Sequence, residues 1–349
     1  LQGDDALLCE VIAPCFPIAQ GILSLIQIPF CDTKPSIVRT YAWQRDVPGR
    51  KVEQIEAFSA ATGEIINPLI EWCSGKLHLG RYLAEQYNVP ALGLEINNSL
   101  VQQANQLASR MNSRSAKKID ARVEQCDVLG VESEQRLNDE QHAIALHACG
   151  GLHVSLLEKS VKKQVKRITL SPCCYHRFNQ SDIYQPLSSI AKNSQLVLNS
   201  EDLRSAVRQS NTAAEREREK RKQLQRWRLG FDELQRDVRA VDEYLPVPSL
   251  SIKLLTLSFR QFCMRVADIK GIVLPEGVDY ELYEVRGEKR FFEYSRYELV
   301  RMTFRRALEC WLVMDRAMYL EENDYDCTLS QFCSTSLTPR NLFIDARLR

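Results

Sequence analysis

At 349 residues the chain is too long for one ordinary compact core and suits one large domain with insertions, or two domains. With 44% hydrophobic and 26% charged residues it lies near the globular average, which excludes whole-chain disorder. Lys+Arg 46 against Asp+Glu 45 leaves a net charge of +1, so overall charge does not mark a nucleic-acid binder and any basic face must be local.

Twelve cysteines in a chain of this size do not form the framework of a short secreted domain, and they point to a reducing, cytoplasmic compartment. The chain opens at Leu1 rather than Met, which suggests a missing N-terminal piece, and shows no signal-peptide pattern. Residues 1–62 read as an N-terminal helical extension. Its most apolar stretch, Ile12 to Phe30, is broken by Pro14, Pro17, Gln20, Gln27 and Pro29, so no membrane span is expected.

From residue 63 short apolar runs alternate with helical patterns, as in a parallel α/β sheet. Ile65 to Trp72 reads as a first strand, followed by a helix from His78 to Tyr87 with Leu79 and Leu83 four apart. A second strand at Ala91–Glu95 precedes a helix from Asn97 to Asn112, whose Leu100, Ala104, Leu107 and Ala108 share one face. Strands follow at Ala121–Cys126 and Ala143–His147, then a helix from Leu152 to Lys163 and a fifth strand at Ile168–Ser171. Residues 201–240 read as one long charged helix ended by Pro246 and Pro248. Residues 250–270 show no clear period, and 271–293 suggest turns with one or two short strands. A helix from Ser295 to Glu321 and two closing strands, Asp326–Phe332 and Leu337–Asp345, complete the chain. The expected organisation is an extension over 1–62, a Rossmann-like sheet built from 63–180 and 295–349, and a basic, mainly helical insertion at 181–294.

The most informative stretch is Glu71-Trp72-Cys73-Ser74-Gly75-Lys76-Leu77-His78-Leu79-Gly80, directly after the first strand. A small-residue turn there lets the backbone approach a nucleotide-like ligand, and the next helix offers free N–H groups. Glu95, closing the second strand, is placed to accept from ribose hydroxyls, and Asp127, after the third, to meet an adenine amino group. The dinucleotide fingerprint G-x-G-x-x-G is absent, which argues against a dehydrogenase.

Together these residues resemble the class I S-adenosylmethionine-dependent methyltransferases. The loop is most similar to a subgroup reading D-x-C/G-S-G-K-G-H/Y-L-G/S, which also carries His-Ala-Cys-Gly and Cys-Cys-Tyr-His segments. That subgroup includes methyltransferase-like proteins related to the glutathione S-transferase C-terminal-domain-containing protein. Here the segments are His147-Ala148-Cys149-Gly150 and Cys173-Cys174-Tyr175-His176, with Gly49-Arg50-Lys51 upstream and Thr338-Pro339-Arg340-Asn341 near the end. Glu71 replaces the usual Asp, and Leu77 stands where the subgroup often has Gly, a position a positive φ would strain. The resemblance implies a seven-stranded methyltransferase sheet and S-adenosylmethionine as cofactor. Lys51, Glu71, Cys73, Gly75, His78, Glu95, Asp127 and His147 are then the expected cofactor contacts, with packing as the alternative for His78 and a plain surface role for Lys51. His147, Cys149, Cys173 and His176 are the expected catalytic group, with apolar packing as the alternative for the thiols. His176 or His147 would act as general base where the acceptor must lose a proton. No metal is expected: no C-x-x-C pair occurs among Cys73, Cys126, Cys149, Cys173 and Cys174, and adjacent Cys173-Cys174 is poor ligand spacing.

RNA is the expected partner. Residues 204–239 hold Arg204, Arg208, Arg216, Arg218, Lys220, Arg221, Lys222, Arg226, Arg228, Arg236 and Arg239, and Lys162 to Arg167 adds a second run. The competing reading is a solvated helix on which Glu215, Glu217 and Glu219 pair with neighbours. A protein or small-molecule acceptor, or a non-catalytic scaffold, are the other functions considered. The oligomeric state is left open.

Overall fold

The computed structural model describes residues 5–32, 44, 47–114, 118–208, 215–247 and 250–349. They divide into two compact units: Leu1–Gln20 with Gln209–Phe304, and Gly21–Arg208 with Arg305–Arg349. No described helix is long and apolar enough to cross a membrane.

The larger unit is built on a seven-stranded sheet. Five strands run parallel: β1 (Leu69–Trp72), β2 (Ala91–Glu95), β3 (Ala121–Gln125), β4 (His142–Cys149) and β5 (Arg167–Cys173). Two closing strands, β6 (Tyr325–Gln331) and β7 (Leu342–Leu348), are antiparallel to each other, and β7 is antiparallel to β5. The spatial order is β3-β2-β1-β4-β5-β7-β6, so the crossovers reverse between β1 and β4. β1 and β5 are buried at every residue, as apolar runs covered on both faces must be, whereas edge strand β6 alternates. Residues 28–31 cover the exposed side of β6 at Gln331, through Gln331 N to Pro29 O at 2.8 Å and Cys31 N to Gln331 O at 3.0 Å.

Helices α1 (Asp5–Ile12), α2 (Ala19–Leu25) and α3 (Gly49–Thr62) precede the sheet. Between strands lie α4 (His78–Tyr87), α5 (Asn98–Arg114) and α6 (Gly151–Lys162). At the amino ends of β4 and β5, Arg167 makes a two-pronged ion pair with Asp345 of β7, at 2.8 and 3.0 Å. Thr169 Oγ1 donates to the same carboxylate at 2.6 Å and lies 2.7 Å from His142 Nε2. Removing one partner of such a buried pair costs about 3–5 kcal/mol, so this network fixes β7 against β5.

After β5 come α7 (Ser189–Lys192) and α8 (Ser200–Ala206), then α9 (Glu215–Arg239), α10 (Phe259–Lys270) and α11 (Tyr280–Glu321). Three sequence expectations are corrected here. The single helix over 201–240 is interrupted: α8 ends at Ala206, and Val207 follows at φ −110°, ψ 6°. Residues 209–214, which that expectation included, and Pro248 lie outside the described residues. The unpatterned 250–270 stretch holds α10, started by a Ser258/Gln261 capping box and stopped by Gly271 at φ 65°. Over 271–293 the expected turns are present as far as residue 279, but no strand follows: α11 starts at Tyr280 and runs 42 residues.

The smaller unit has its own core of Trp227, Phe231, Phe259, Phe262 and Val266. Within it α9 and α11 meet at Gly230 and Gly287; a Cβ on Gly287 would lie 2.5 Å from Gly230 N. Trp227 Nε1 donates to Glu284 at 2.9 Å across the same contact. Packing divides the chain at different places from the expected 180/181 and 294/295. Tyr184, Leu187, Leu198 and Leu203 are buried in one core with Leu170 and Val313, which draws residues 181–208 to the sheet.

Candidate active site at the carboxyl ends of the parallel strands

The turn from β1 into α4 is held in a left-handed course. Cys73, Gly75 and Leu77 take φ 55°, 56° and 55°, and Leu77 is the residue before α4. Strain of this kind persists only where the surroundings fix it. Two glycines make the room. A Cβ on Gly93 of β2 would lie 2.4 Å from Ser74 Oγ, and one on Gly80 would lie 2.6 Å from Leu77 Cδ1. Ser74 Oγ is itself buried without a hydrogen-bond partner. Gly93 was read from the sequence only as part of the second strand, because nothing along the chain signals the close approach of the Ser74 turn to it.

Glu95 closes this turn from β2. Its Oε2 accepts from Gly75 N at 3.0 Å, and its Oε1 accepts from Asn97 N at 2.8 Å. Each oxygen keeps a lone pair, so the carboxylate is oriented before any ligand arrives. Asp127, beyond β3, is exposed and accepts from Leu129 N at 3.0 Å. Glu71 points elsewhere: it is buried, and its Oε2 accepts from Gly80 N at 2.7 Å, pinning the first turn of α4. Burial pushes its carboxyl up to about 7, against the opposing pull of that N–H, Lys51 and Arg81.

His78 is buried, with Nδ1 2.8 Å from Arg81 Nη2, and burial beside Lys51 and Arg81 lowers it to about 3. A neutral ring accepting from Arg81 is a packing arrangement, the alternative weighed for it. Lys51, exposed on α3, acts electrostatically on Glu71, His78 and His147.

His147 sits on a bulge in β4, at φ 65°, between Leu146 and Ala148. Its Nε2 lies 3.1 Å from Gln54 Oε1, which assigns the proton to Nε2. Nδ1 is buried and without a partner. Burial, then Arg340 and Lys51, lower its basicity to about 4.

The thiols form the other half of the site. Cys149 ends β4 and Cys173 ends β5, paired in register, with Sγ atoms 3.6 Å apart. Cys174 turns left-handed at φ 44°, and the three sulfurs lie within 4.8 Å of one another. Cys174 ionises most readily, because the Cys149 and Cys173 thiols hydrogen-bond to it and Arg340 and His176 face it. Cys173 is correspondingly held as a thiol. His176 is half-buried, lowered by that burial, with Nδ1 unpartnered. Cys73 joins the two halves: Glu95, Cys149, Glu71 and Asp127 all act on it, and burial pushes it up to about 12. Cys73, Glu95, Asp127, Cys149 and Cys173 thus end or closely follow the five parallel strands, while Lys51 reaches the region from α3.

On α9 many cations are already engaged. Arg221 pairs with Glu217, Lys222 with Glu219, and Arg236 with Asp232 and Asp242, while Arg228 donates to Val247 O. Arg216 and Lys220 are exposed.

Residues 50–181 match the family model described as a methyltransferase domain. No protein of curated function matches the chain. Similar solved structures include the tRNA (uracil-54, C5)-methyltransferase of Pyrococcus abyssi, with bound S-adenosyl-L-homocysteine, at 19% identity over 36% of this chain and 27% of that one, TM-score 0.26. The magnesium protoporphyrin IX methyltransferase of Synechocystis PCC 6803 is 13% identical over 37% and 64%, TM-score 0.29. An RNA methyltransferase of Salinibacter ruber is 14% identical over 40% and 85%, TM-score 0.29. This chain spans less than two thirds of the length of the first two. The sheet order, with β7 reversed between β5 and β6, is that of a Rossmann-like methyltransferase fold, and the family match lies on the segment that carries its five parallel strands.

Proposed function

We propose that this methyltransferase domain moves a methyl group from S-adenosylmethionine to an acceptor on RNA, in tRNA or rRNA. Glu95 carries the cofactor half of the reading. Its oxygens are set by two backbone amides at the end of β2, beside the point where the crossovers reverse, the place for ribose hydroxyls in such sheets. Left-handed Gly75 lets the backbone come close, Asp127 suits an exocyclic amine, and Lys51 suits a carboxylate. The loop and the two Cys/His segments also support the subgroup related to the glutathione S-transferase C-terminal-domain-containing protein.

When bound, the cofactor supplies a methyl on a positively charged sulfur that leaves as a neutral thioether. The protein's part is alignment and exclusion of water. His147 presents the Nδ1 lone pair to an incoming hydroxyl or amine. Its depressed basicity suits orienting that group better than retaining a full proton. His176 is the second group able to take a proton.

The RNA half is supported by the exposed Arg216 and Lys220, with Arg221 and Lys222 on the same turn of α9. Labelled cofactor offered with total RNA and cell protein tests both halves. Label is expected in ribonuclease-sensitive material. Label in the protein or small-molecule fraction would move the acceptor, and no heat on titrating S-adenosyl-L-homocysteine would remove the cofactor reading as well. Reversing Lys220, Arg221 and Lys222 to Glu should weaken binding to many RNA sequences alike and flatten its salt dependence by about one unit per lost phosphate contact.

A further inference from the structure

The reading above leaves three sulfurs at the ends of β4 and β5 without a task. Parallel pairing sets Cys149 directly opposite Cys173, so their side chains share a face of the sheet. Cys174 would ordinarily point the other way. Its φ of 44° breaks the extended course and returns its sulfur to the same side. Backbone contacts hold that kink: Gly150 N donates to Cys173 O at 2.9 Å, Arg177 N to Cys174 O at 2.9 Å, and Gly151 N to Arg177 O at 2.8 Å. Gly150 fits only without a side chain, since a Cβ there would lie 1.8 Å from Arg177 O. The sulfurs are thus gathered by the main chain and not by a chance rotamer.

Their spacing has a natural reading. A disulfide needs sulfurs about 2.05 Å apart, far shorter than the 3.6 Å between Cys149 and Cys173. Tetrahedral zinc with Zn–S of about 2.3 Å sets its sulfurs roughly 3.8 Å apart. The separations found, from 3.6 Å to at most 4.8 Å, bracket that edge. We propose that Cys149, Cys173 and Cys174 form a three-thiolate site for a zinc-class divalent ion. Three thiolates and one divalent ion leave a net negative charge, and Arg340, which faces Cys174 and has an unpartnered buried Nη1, sits where it compensates. Among the described residues no fourth His, Cys, Asp or Glu atom joins the group within the same reach. One coordination place therefore stays open to water or an incoming ligand, the arrangement of sites that exchange a ligand.

This differs from the expectation drawn from spacing, which took adjacent Cys173-Cys174 as poor ligand spacing. It does not depend on the methyl-transfer reading. Elemental analysis of the full chain, purified under reducing conditions without chelator, is expected to find about one zinc per chain. After chelation, added cobalt(II) should give a thiolate-to-metal charge-transfer band. Cys149→Ser, Cys173→Ser and Cys174→Ser should each weaken cobalt binding by more than tenfold, since loss even of an outer-shell partner costs about 10–100-fold. Cys333→Ser, outside the group, should leave it unchanged. Circular dichroism controls for folding, and half-buried Cys149 offers the mildest variant if Cys173→Ser does not fold. Reduced, folded protein that takes up neither ion, or a cobalt band that survives all three substitutions, overturns the proposal.

Discussion

Replacing Leu77 by glycine tests whether a strained residue is held by what it packs against. Leu77 stands at φ 55°, ψ 41°, a conformation that costs an L-residue roughly 1–2 kcal/mol. Its side chain is only 1% exposed and packs with Val101, Ala104 and Val123. It also fills the hollows left by Gly80 and Gly93, where added Cβ atoms would lie 2.6 and 2.8 Å from its Cδ1. Leu77→Gly removes the strain but loosens the unfolded chain by about 0.4–1 kcal/mol, so the net relief is about 1 kcal/mol or less. Truncating a buried leucine to alanine costs about 2–5 kcal/mol. Burial wins, and Leu77→Gly should lose roughly 1–4 kcal/mol of stability. Leu77→Ala loses the same packing while keeping its Cβ, so it should be less stable than the glycine variant, the reverse of the usual order inside helices. Urea denaturation followed by tryptophan fluorescence gives the ranking. A glycine variant at or above wild type would refute the packing argument, and alanine above glycine would refute the strain argument.

Glu95→Ala should weaken binding of S-adenosyl-L-homocysteine by about 1–3 kcal/mol, because a ligand contact and the Gly75 and Asn97 anchors go together; calorimetry showing wild-type affinity in a folded variant would place the ribose elsewhere. Glu71, raised from 4.5 to about 7, contributes stability that is full below pH 4.5 and is lost as pH climbs through about 7. Glu71→Gln removes that falling contribution, so between pH 5 and 7 its stability should rise with pH more steeply than wild type, by up to about 1.4 kcal/mol per unit; parallel urea midpoints would contradict the assignment. His147 and His78, lowered to about 4 and about 3, act oppositely and remain in both proteins: their contributions are present above pH 6.5 and fade as pH falls through those values.

Much of the sheet was legible because short apolar stretches such as Leu69-Ile70, Ala91–Leu94 and Ala143–Leu146 alternate with helical patterns, whereas β3, half-exposed with Arg122, Glu124 and Gln125, carries a weaker signal. The helix His78–Tyr87 was readable to the residue from its leucine spacing. The start of α11 was not. Tyr280, Tyr283, Val285 and Gly287 favour strands and turns locally, yet Gly287 is where α11 touches the backbone of α9, a reason visible only with both helices present. The nearness of Glu95 to the turn after β1 was legible, because both follow neighbouring parallel strands, and Gly75 N donates to Glu95 Oε2. The hydrogen bond that Glu71 accepts from Gly80 N was not legible, because nothing along the chain shows that this carboxylate is buried. The convergence of the three thiols was not legible, since spacing rules assume an extended chain and Cys174 is not extended. On α9 the cations were counted correctly, but at i, i+3 and i, i+4 the acids neutralise several of them.

The place of β7 in the sheet also sets a schedule for synthesis. Its pairing with β5 joins residues 167–170 to residues 344–347, so β5, which ends at Cys173, has no neighbour on that side until β7 is made from Leu342 onward. At about 5–20 residues per second a ribosome needs on the order of ten seconds or more for that stretch. Throughout it, a strand destined for full burial waits with open hydrogen-bonding groups beside a nascent chain, its Arg167 and Thr169 still without Asp345. Cells should therefore hold this protein longest in contact with holdases between the emergence of β5 and that of β7, and a stall within residues 209–304 would release a fragment whose sticky edge is uncovered.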